Sequence, residues 1–256
     1  MGDALREHKG DYGIDGSFHT AGPRAQATFW AAVCAGLTAT TAIAWAKGQR
    51  LAAVVAGLVN ANLVATAVFY LHTTRVGKFH AWARVLDELA LHGDETVLDL
   101  GCGRGAVLLA AAKRLPRGRA IGVDLWRADQ SGNSPEQTLT NAALEEVADR
   151  VEVHTADITE LPFDDGSVDV VVSSLVIHNL PDRAAREAAM REAARVLRPG
   201  GRLAIADLWA TRQHAAQLRE MGWTDVERRN LGWRMWWGGP WLPTHVVTAT
   251  KPARSS

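Results

Sequence analysis

The chain has 256 residues, 28 Lys+Arg against 28 Asp+Glu, a pI near 7.1 and a mean hydropathy of −0.08. This balance argues against a nucleic-acid binder that relies on a basic face, and two cysteines, Cys34 and Cys102, cannot build a disulfide framework. The length allows a large buried core in one or two domains.

Residues 1–24 hold Gly, Asp, His and Pro with little periodicity and read as a mobile tail. Charge then disappears. Between Arg24 and Lys47 lie 22 residues without Asp, Glu, Lys or Arg, and between Arg50 and Arg75 lie 24 more. A helix rises about 1.5 Å per residue, so about 20 residues span a hydrocarbon core of about 30 Å. Two such runs around Lys47-Gly48-Gln49-Arg50 predict a helical hairpin over 25–76 that crosses a membrane. Phe29, Trp30 and Trp45 flank the first run, and Phe69 and Tyr70 end the second, where interfacial aromatics belong. Asn60, Asn62 and His72 interrupt the second run and need partners. The competing reading is therefore an Ala-rich hairpin packed on the domain or on a second copy, and homo-oligomers through its small residues fit the same composition. The first run starts well inside the chain and leads into a second, which argues against a cleaved signal peptide. Lys47 and Arg50 occupy the turn, whereas Arg6, Lys9, Arg24, Arg75, Lys78 and Arg84 lie on the other side, so the positive-inside rule places both termini and the following domain in the cytoplasm.

The pattern changes over 77–256. Phe79, Trp82, Ala83, Leu86 and Leu89 recur at helical spacing. Strands are then expected at 96–100, 120–125, 151–156, 168–175 and 202–207, with helices at 106–115, 135–148 and 183–197 between them. Pro199-Gly200-Gly201 is expected to stop the last of these helices. A helix near 212–221 and a strand pair near 224–231 and 244–250 complete the chain. Such alternation predicts an α/β fold, a doubly wound, mostly parallel sheet with helices on both faces.

Strand 96–100 runs into Gly101-Cys102-Gly103-Arg104-Gly105. Glycines there let the chain bend sharply and let a ligand approach the backbone. Gly101-x-Gly103-x-x-Ala106 satisfies a relaxed dinucleotide fingerprint, which alone is weak and leaves a nicotinamide oxidoreductase as a competing reading. Asp99 disfavours it, because a carboxylate at the strand end would face a pyrophosphate and suits a cationic ligand such as a sulfonium with its amino group. The second strand ends in Gly122-Val123-Asp124, and an acidic side chain there can accept both hydroxyls of a ribose. Cys102 has no base in sequence reach and reads as inert.

Leu98–Gly105, Gly122–Asp124, Ala156-Asp157-Ile158 with Leu161-Pro162-Phe163, Val170–Ser174 and Arg195–Gly201 stand in the order and spacing of a known family. Together they resemble the class I S-adenosylmethionine-dependent methyltransferases over about residues 79–250. The resemblance implies a seven-stranded Rossmann-like sheet whose last two strands form an antiparallel hairpin. It implies S-adenosylmethionine as cofactor, with Gly101, Gly103 and Gly105 against the methionine portion and Asp99 near its amino group or ordering the loop. It further implies Asp124, with Leu125 beside it, at the ribose, Asp157 and Ile158 at the adenine, and Ser174 on the methionine side. Asp157 as a helix cap is the alternative role. The loop Trp126–Pro135 is longer than the family's usual turn, and Trp126 could cover the adenine, shape the substrate mouth or belong to a plain surface loop.

Methyl transfer needs a base only where the acceptor loses a proton. The candidate is His178, which follows the fourth strand in Ser174-Leu175-Val176-Ile177-His178-Asn179. The alternative is a histidine that bonds a loop carbonyl and shapes the pocket. The Ser-x-x-x-His-Asn spacing is similar to a short Ser-x-x-x-Arg-Asn stretch of quinone-ring C-methyltransferases. No Asn-Pro-Pro-Tyr tetrapeptide follows the strand, and no carboxylate pair suggests a metal site. Trp223, Trp233, Trp236, Trp237 and Trp241 cluster near the C-terminus, where they suit a bilayer interface, an apolar substrate wall or an aromatic core. The expected activity is methyl transfer to a small, lipophilic or lipid-like acceptor at a membrane surface. A catalytically silent cofactor-binding scaffold is the alternative.

Overall fold

The structure is a computed structural model and describes residues 8–16, 21–127 and 130–253. Helix α1 (Pro23–Ala46) opens with proline at its first position, where a missing N–H costs nothing. Gly48, at φ +72°, turns the chain into α2 (Arg50–His72). The two helices pack as an antiparallel pair, and Asn60 Nδ2 donates to Thr38 Oγ1 across it at 2.8 Å. The threonine hydroxyls of α1 bond back to carbonyls one turn earlier, Thr38 to Cys34 at 2.9 Å and Thr41 to Leu37 at 2.8 Å. Within this pair only Ala44 and Ala53 are buried, and Phe29, Trp30, Leu51, Leu58 and Val68 stand outward.

Helix α2 does not stop where a separate amphipathic helix was expected to begin. A π-helical turn, Thr73–Gly77, carries it into α3 (Lys78–Glu88), so one helical run extends from Arg50 to Glu88. Gly77 keeps ordinary helical dihedrals, so no turn is forced, and it lies beneath the Arg234 carbonyl where a Cβ would sit 1.9 Å from that oxygen. Exposure changes along this run: Val68 and Leu71 face outward, whereas Thr73, Thr74, Lys78, Phe79 and Trp82 are buried against the domain.

The sheet contains β1 (Thr96–Leu100), β2 (Arg119–Asp124), β3 (Val151–Thr155), β4 (Val168–Ser174), β5 (Leu197–Asp207), β6 (Glu227–Asn230) and β7 (His245–Thr250). Their spatial order is β3-β2-β1-β4-β5-β7-β6, with β1 to β5 parallel and β7 antiparallel to both neighbours. Alternation along the strands divides the core. Val97, Val170 and Val172 meet α3 and α4 (Ala106–Ala112) on one face. Leu98, Leu100, Val171 and Ile205 meet α6 (Arg183–Val196) and α7 (Thr211–Glu220) on the other. Helix α5 (Pro135–Leu144) starts at Ser134, whose hydroxyl accepts from Gln137 N. Strand β5 begins at Leu197, five residues before the expected start, because Pro199-Gly200-Gly201 forms an irregularity within the strand, where the pairing register with β4 shifts.

The described part of the N-terminal tail is laid against the domain rather than loose. Lys9 N, Gly10 N and Tyr12 OH all donate to Glu145 Oε1 at 2.8–2.9 Å, and Asp11 N donates to Asn141 Oδ1 at 3.0 Å. Glu145 and Asn141 are buried and need donors, which this segment supplies. Burial pushes the Tyr12 hydroxyl far above its usual range, and Glu145 adds to the shift.

Candidate active site

A cavity of about 550 Å³ opens at the carboxyl ends of β1, β2, β4 and β5. It lies where the strand order reverses between β1 and β4, the place doubly wound sheets reserve for ligands. Gly101, Gly103 and Gly105 all adopt positive φ, +69°, +52° and +88°, and Gly101 and Gly103 line the cavity. At Gly101 a Cβ would fall 2.3 Å from a Val176 methyl, so glycine is required for backbone and for packing.

Two carboxylates end β1 and β2. Asp99 is buried, and its Oδ1 has no hydrogen-bond partner among the described residues. Burial pushes its carboxyl well above the usual range, and the charge of Asp124 pushes the same way. Asp124 accepts from Gly103 N at 2.8 Å through one oxygen and from Trp126 N at 2.6 Å through the other. It therefore shapes the glycine loop as well as lining the cavity. Leu125, Ile158 and Ser174 line it too, and Ser174 Oγ accepts from Trp82 Nε1 at 2.9 Å. Asp157 does not line it. Its Oδ1 accepts from Thr159 N at 2.8 Å and Thr159 Oγ1 at 2.7 Å, as a turn cap does. Trp126 is also outside the lining and donates through Nε1 to Thr155 Oγ1 at 2.7 Å. Burial raises the Cys102 thiol, with Asp99 and Asp124 adding to it, which suits an inert packing residue.

His178 stands at the cavity wall after β4, its side chain 11% exposed. Its Nδ1 is hydrogen-bonded to Asp207 Oδ1, and its backbone N donates to Asp207 Oδ2 at 2.9 Å. Asp207 ends β5, is wholly buried, and also accepts from Leu208 N at 2.8 Å. A carboxylate can only accept, so it assigns the proton of the neutral ring to Nδ1 and leaves Nε2 with its lone pair. The edge of Trp209 packs on the ring at 4.9 Å between centroids. Asp207 was not anticipated from sequence, although an acidic residue ending a buried strand is the same signal that marked Asp99 and Asp124.

Three further groups reach the cavity: Gln130 from the lengthened loop after β2, Asp15 from the N-terminal segment and Lys78 from the start of α3. Gln130 Oε1 accepts from Arg104 N at 2.8 Å, covering Gly103, while its Nε2 donates to Asp15 Oδ1 at 2.9 Å. Asp15 also takes Lys78 Nζ at 2.8 Å and Thr74 Oγ1 at 2.7 Å. Asp15, Lys78 and Gln130 all line the cavity. Of the C-terminal tryptophans, Trp223 is core, Trp233 and Trp241 are exposed, and Trp237 lines the cavity.

Comparison with known proteins matches residues 98–205 to a family described as a methyltransferase domain. The chain is 38% identical over 133 residues to 27-O-demethylrifamycin SV methyltransferase of Amycolatopsis mediterranei, covering 50% of this chain and 45% of that protein. It is 34% identical over 132 residues to demethylmenaquinone methyltransferase of Lactiplantibacillus plantarum, covering 50% of this chain and 52% of that protein. The chain thus spans about half the length of these curated relatives. A SAM dependent methyltransferase from Aquifex aeolicus shares the fold, with a TM-score of 0.51 at 21% identity over 66% of this chain and 88% of that one. Strand order, glycine loop and strand-end carboxylates all agree with this match, so residues 98–205 are similar to a methyltransferase domain and carry the fold of the S-adenosylmethionine-dependent methyltransferases.

Proposed function

We propose that the chain transfers a methyl group to a small, lipophilic acceptor bearing an ionisable proton, with His178 as the general base, at the cytoplasmic surface of a membrane that α1 and α2 span. The observation that carries the reading is the His178–Asp207 pair at the wall of the cofactor cavity.

The cavity fits the family's cofactor. Asp99 offers a buried acceptor in need of positive charge, Asp124 stands at the end of β2 for ribose hydroxyls, and Ile158 offers an apolar face for the adenine. When bound, S-adenosylmethionine supplies an electrophilic methyl group on a sulfonium. The protein's contribution is alignment, exclusion of water and removal of one proton. Asp207 holds the His178 ring in one orientation and one tautomer, and Nε2 accepts the acceptor's proton as its oxygen, nitrogen or carbon becomes nucleophilic. The buried carboxylate then stabilises the imidazolium.

Two relatives carry acceptors in their names that fit this scheme, an O-demethylated rifamycin and demethylmenaquinone. The membrane part rests on two adjacent helices of 24 and 23 residues that leave almost every side chain outward. Helices apolar on all sides need an apolar medium, and the intrahelical threonine bonds and the Asn60–Thr38 bond satisfy polar groups within the pair. A second copy covering one face of the pair is compatible with this arrangement.

The test is transfer of labelled methyl from S-adenosylmethionine to a membrane extract, with the product identified by mass. His178→Ala should abolish most of the transfer while leaving cofactor binding intact. Unchanged kcat in that variant removes His178 from the chemistry, and cofactor binding without turnover on any acceptor favours a silent scaffold. A protein that stays monodisperse without detergent overturns the membrane span.

A further inference from the structure

We infer that the acceptor reaches His178 sideways from the bilayer, through an opening framed by Tyr70 of α2 and by Trp237 and Leu242 of the β6–β7 connection. The inference rests on the membrane and methyltransferase readings above and adds the route and the residues that form it.

Strand order gives the cavity two ends. Asp99, Asp124, Gln130 and Asn133 crowd one end, beneath β1 and β2. The other end, beyond β4 and β5, is walled by Leu208, Trp237 and Leu242, with His178 between; Tyr70 joins the two ends, its ring on Trp237 and its hydroxyl donating to the carbonyl of Asp15, which with Lys78 lines the cavity beside it. A cofactor held by the strand-end carboxylates leaves the apolar end for the acceptor.

That end abuts the helix pair. The β6–β7 connection clamps onto the last turns of α2 and the π turn. Thr73 Oγ1 donates to the Trp236 carbonyl at 2.7 Å, and the rings of His72 and Trp233 stack at 4.8 Å. Tyr70 meets Trp237 edge-on at 5.9 Å, and Phe69 meets Trp236 at 5.6 Å. Gly238 lies against Thr66, where a Cβ would be 2.9 Å from the Thr66 methyl. Trp237 is itself fixed by an Nε1 bond to Thr244 Oγ1 at 3.0 Å. The frame is thus built from both the helix and the domain.

Helix length sets the height of this frame. From Arg50 in the polar turn to Tyr70, the rise is about 30 Å, the thickness of a hydrocarbon core. Tyr70 therefore sits where hydrocarbon gives way to headgroups. Thr66 lies about 6 Å deeper at the same rise per residue, so the connection that covers it dips below that boundary. Its outward groups agree: Trp241 is 62% exposed, and Trp233 is 47% exposed beneath the Arg234 guanidinium, 4.7 Å from its ring. Tryptophan with arginine at this level belongs to a bilayer interface. An apolar opening at that height faces acyl chains, and the occupant it fits is a membrane-dissolved molecule with an apolar body and a polar reacting end.

The full chain reconstituted in phosphatidylcholine–phosphatidylglycerol vesicles tests this in two arms. In the first, Trp241→Cys in a Cys34→Ser background is labelled with bimane. A nitroxide on an upper acyl carbon should quench it several-fold more than aqueous iodide, as expected at the interface; the opposite order overturns the inference. In the second, Leu242→Arg places a charge in the opening. Labelled methyl entering the organic-soluble fraction of an added membrane extract should fall at least about tenfold, while S-adenosylmethionine binding by equilibrium dialysis stays within about twofold of wild type, Leu242 belonging to the β6–β7 connection and not to the ends of β1 and β2 that carry Asp99 and Asp124. Undiminished labelling of that fraction overturns the route. So does a wild-type protein that binds S-adenosylmethionine but labels only water-soluble products, which leaves the methyltransferase reading standing. Failure of the wild type to bind S-adenosylmethionine sinks that reading and the route with it.

Discussion

Asp207→Asn is the sharpest probe of the site, because it changes charge without changing shape. The Asp207 carboxylate is wholly buried and every one of its partners is a donor: His178 N at one oxygen, Leu208 N and the His178 ring at the other. An asparagine offers one acceptor oxygen and one NH₂, so in either orientation a buried donor faces a donor. With the NH₂ toward the ring, Nδ1 must accept, the ring proton moves to Nε2, and Nε2 loses the lone pair that the proposed mechanism needs to take the substrate proton. A hydrogen bond to a charged group contributes about 1.5–3 kcal/mol, which predicts a fall in kcat of roughly 10- to 150-fold at RT of about 0.6 kcal/mol. Tautomer reversal in a serine-protease triad costs about 10⁴-fold, which sets the upper bound. The assay is initial-rate methyl transfer alongside calorimetric titration of the cofactor, whose affinity should not move. The double variant with His178→Ala should be no slower than His178→Ala alone, since both remove one device. Wild-type kcat in Asp207→Asn, with His178→Ala inactive, would refute the claim that Asp207 holds the base.

The remaining predictions concern the cofactor loop and the fold. Burial and the charge of Asp124 both push the Asp99 carboxyl above its usual range, and a cation bound beside it would push it back down. Cofactor binding should therefore release a proton and strengthen as pH rises until Asp99 is ionised in the free protein; titration in buffers of different ionisation enthalpy measures this, and Asp99→Asn should abolish the proton release. Gly101→Ala places a side chain at φ +69° against Val176 and should cost about 1–3 kcal/mol in thermal unfolding, together with cofactor affinity; an unchanged midpoint contradicts the account of the loop. Burial alone would raise Glu95, but hydrogen bonds from His92 N, Gly93 N and Arg202 outweigh it and hold the carboxyl down at about 2. Its folded value lies below its unfolded one, so its contribution is present above about pH 4.5 and is lost as pH falls through about 2. Glu95→Gln should therefore be less stable than wild type by about 2–3 kcal/mol near neutrality, with the gap closing on acidification; a gap independent of pH assigns the loss to packing.

The domain was legible because its signals are local. Buried strands bounded by glycine and carboxylate make strand β1 fall at Thr96–Leu100 as expected, and the strand-end rule places Asp99 and Asp124 together in one cavity. What escaped depends on pairing over long separations. Asp207 lies 29 positions from the anticipated base His178, so the pairing that fixes the ring leaves no mark near either residue. Residues 8–16 carry no period because they bind through backbone N–H groups to Glu145 and Asn141, and a backbone donor leaves no trace in residue type. Asp157 shows the converse, a residue in the right motif whose carboxylate turns to its own loop at Thr159. The unbroken helix through Thr73–Gly77 has no apolar period of its own to announce it, and Gly77 within it leaves room for the Arg234 carbonyl.

The same unbroken helix explains how charge segregation in the sequence becomes geometry at the site. The charge-free run ends at Thr74, and within one turn the helix meets its first buried charge, Lys78. Asp15 gathers Thr74, Lys78 and Gln130, and Gln130 in turn holds the Arg104 amide of the glycine loop. Three hydrogen bonds in series, through Asp15 and Gln130, therefore connect the helix leaving the pair to the loop that shapes the cofactor cavity. A flexible linker after an anchor would leave the cavity free to tumble. Here no linker intervenes among the described residues: α2, the π turn and α3 are one body, α3 buries Trp82 and Leu86 in the core, and the β6–β7 connection grips the same turns from the other side. The orientation of the cavity relative to the helix pair is thus set by helix register, each residue turning it by about 100°. Tyr70 faces the cavity and Leu71 faces outward for that reason.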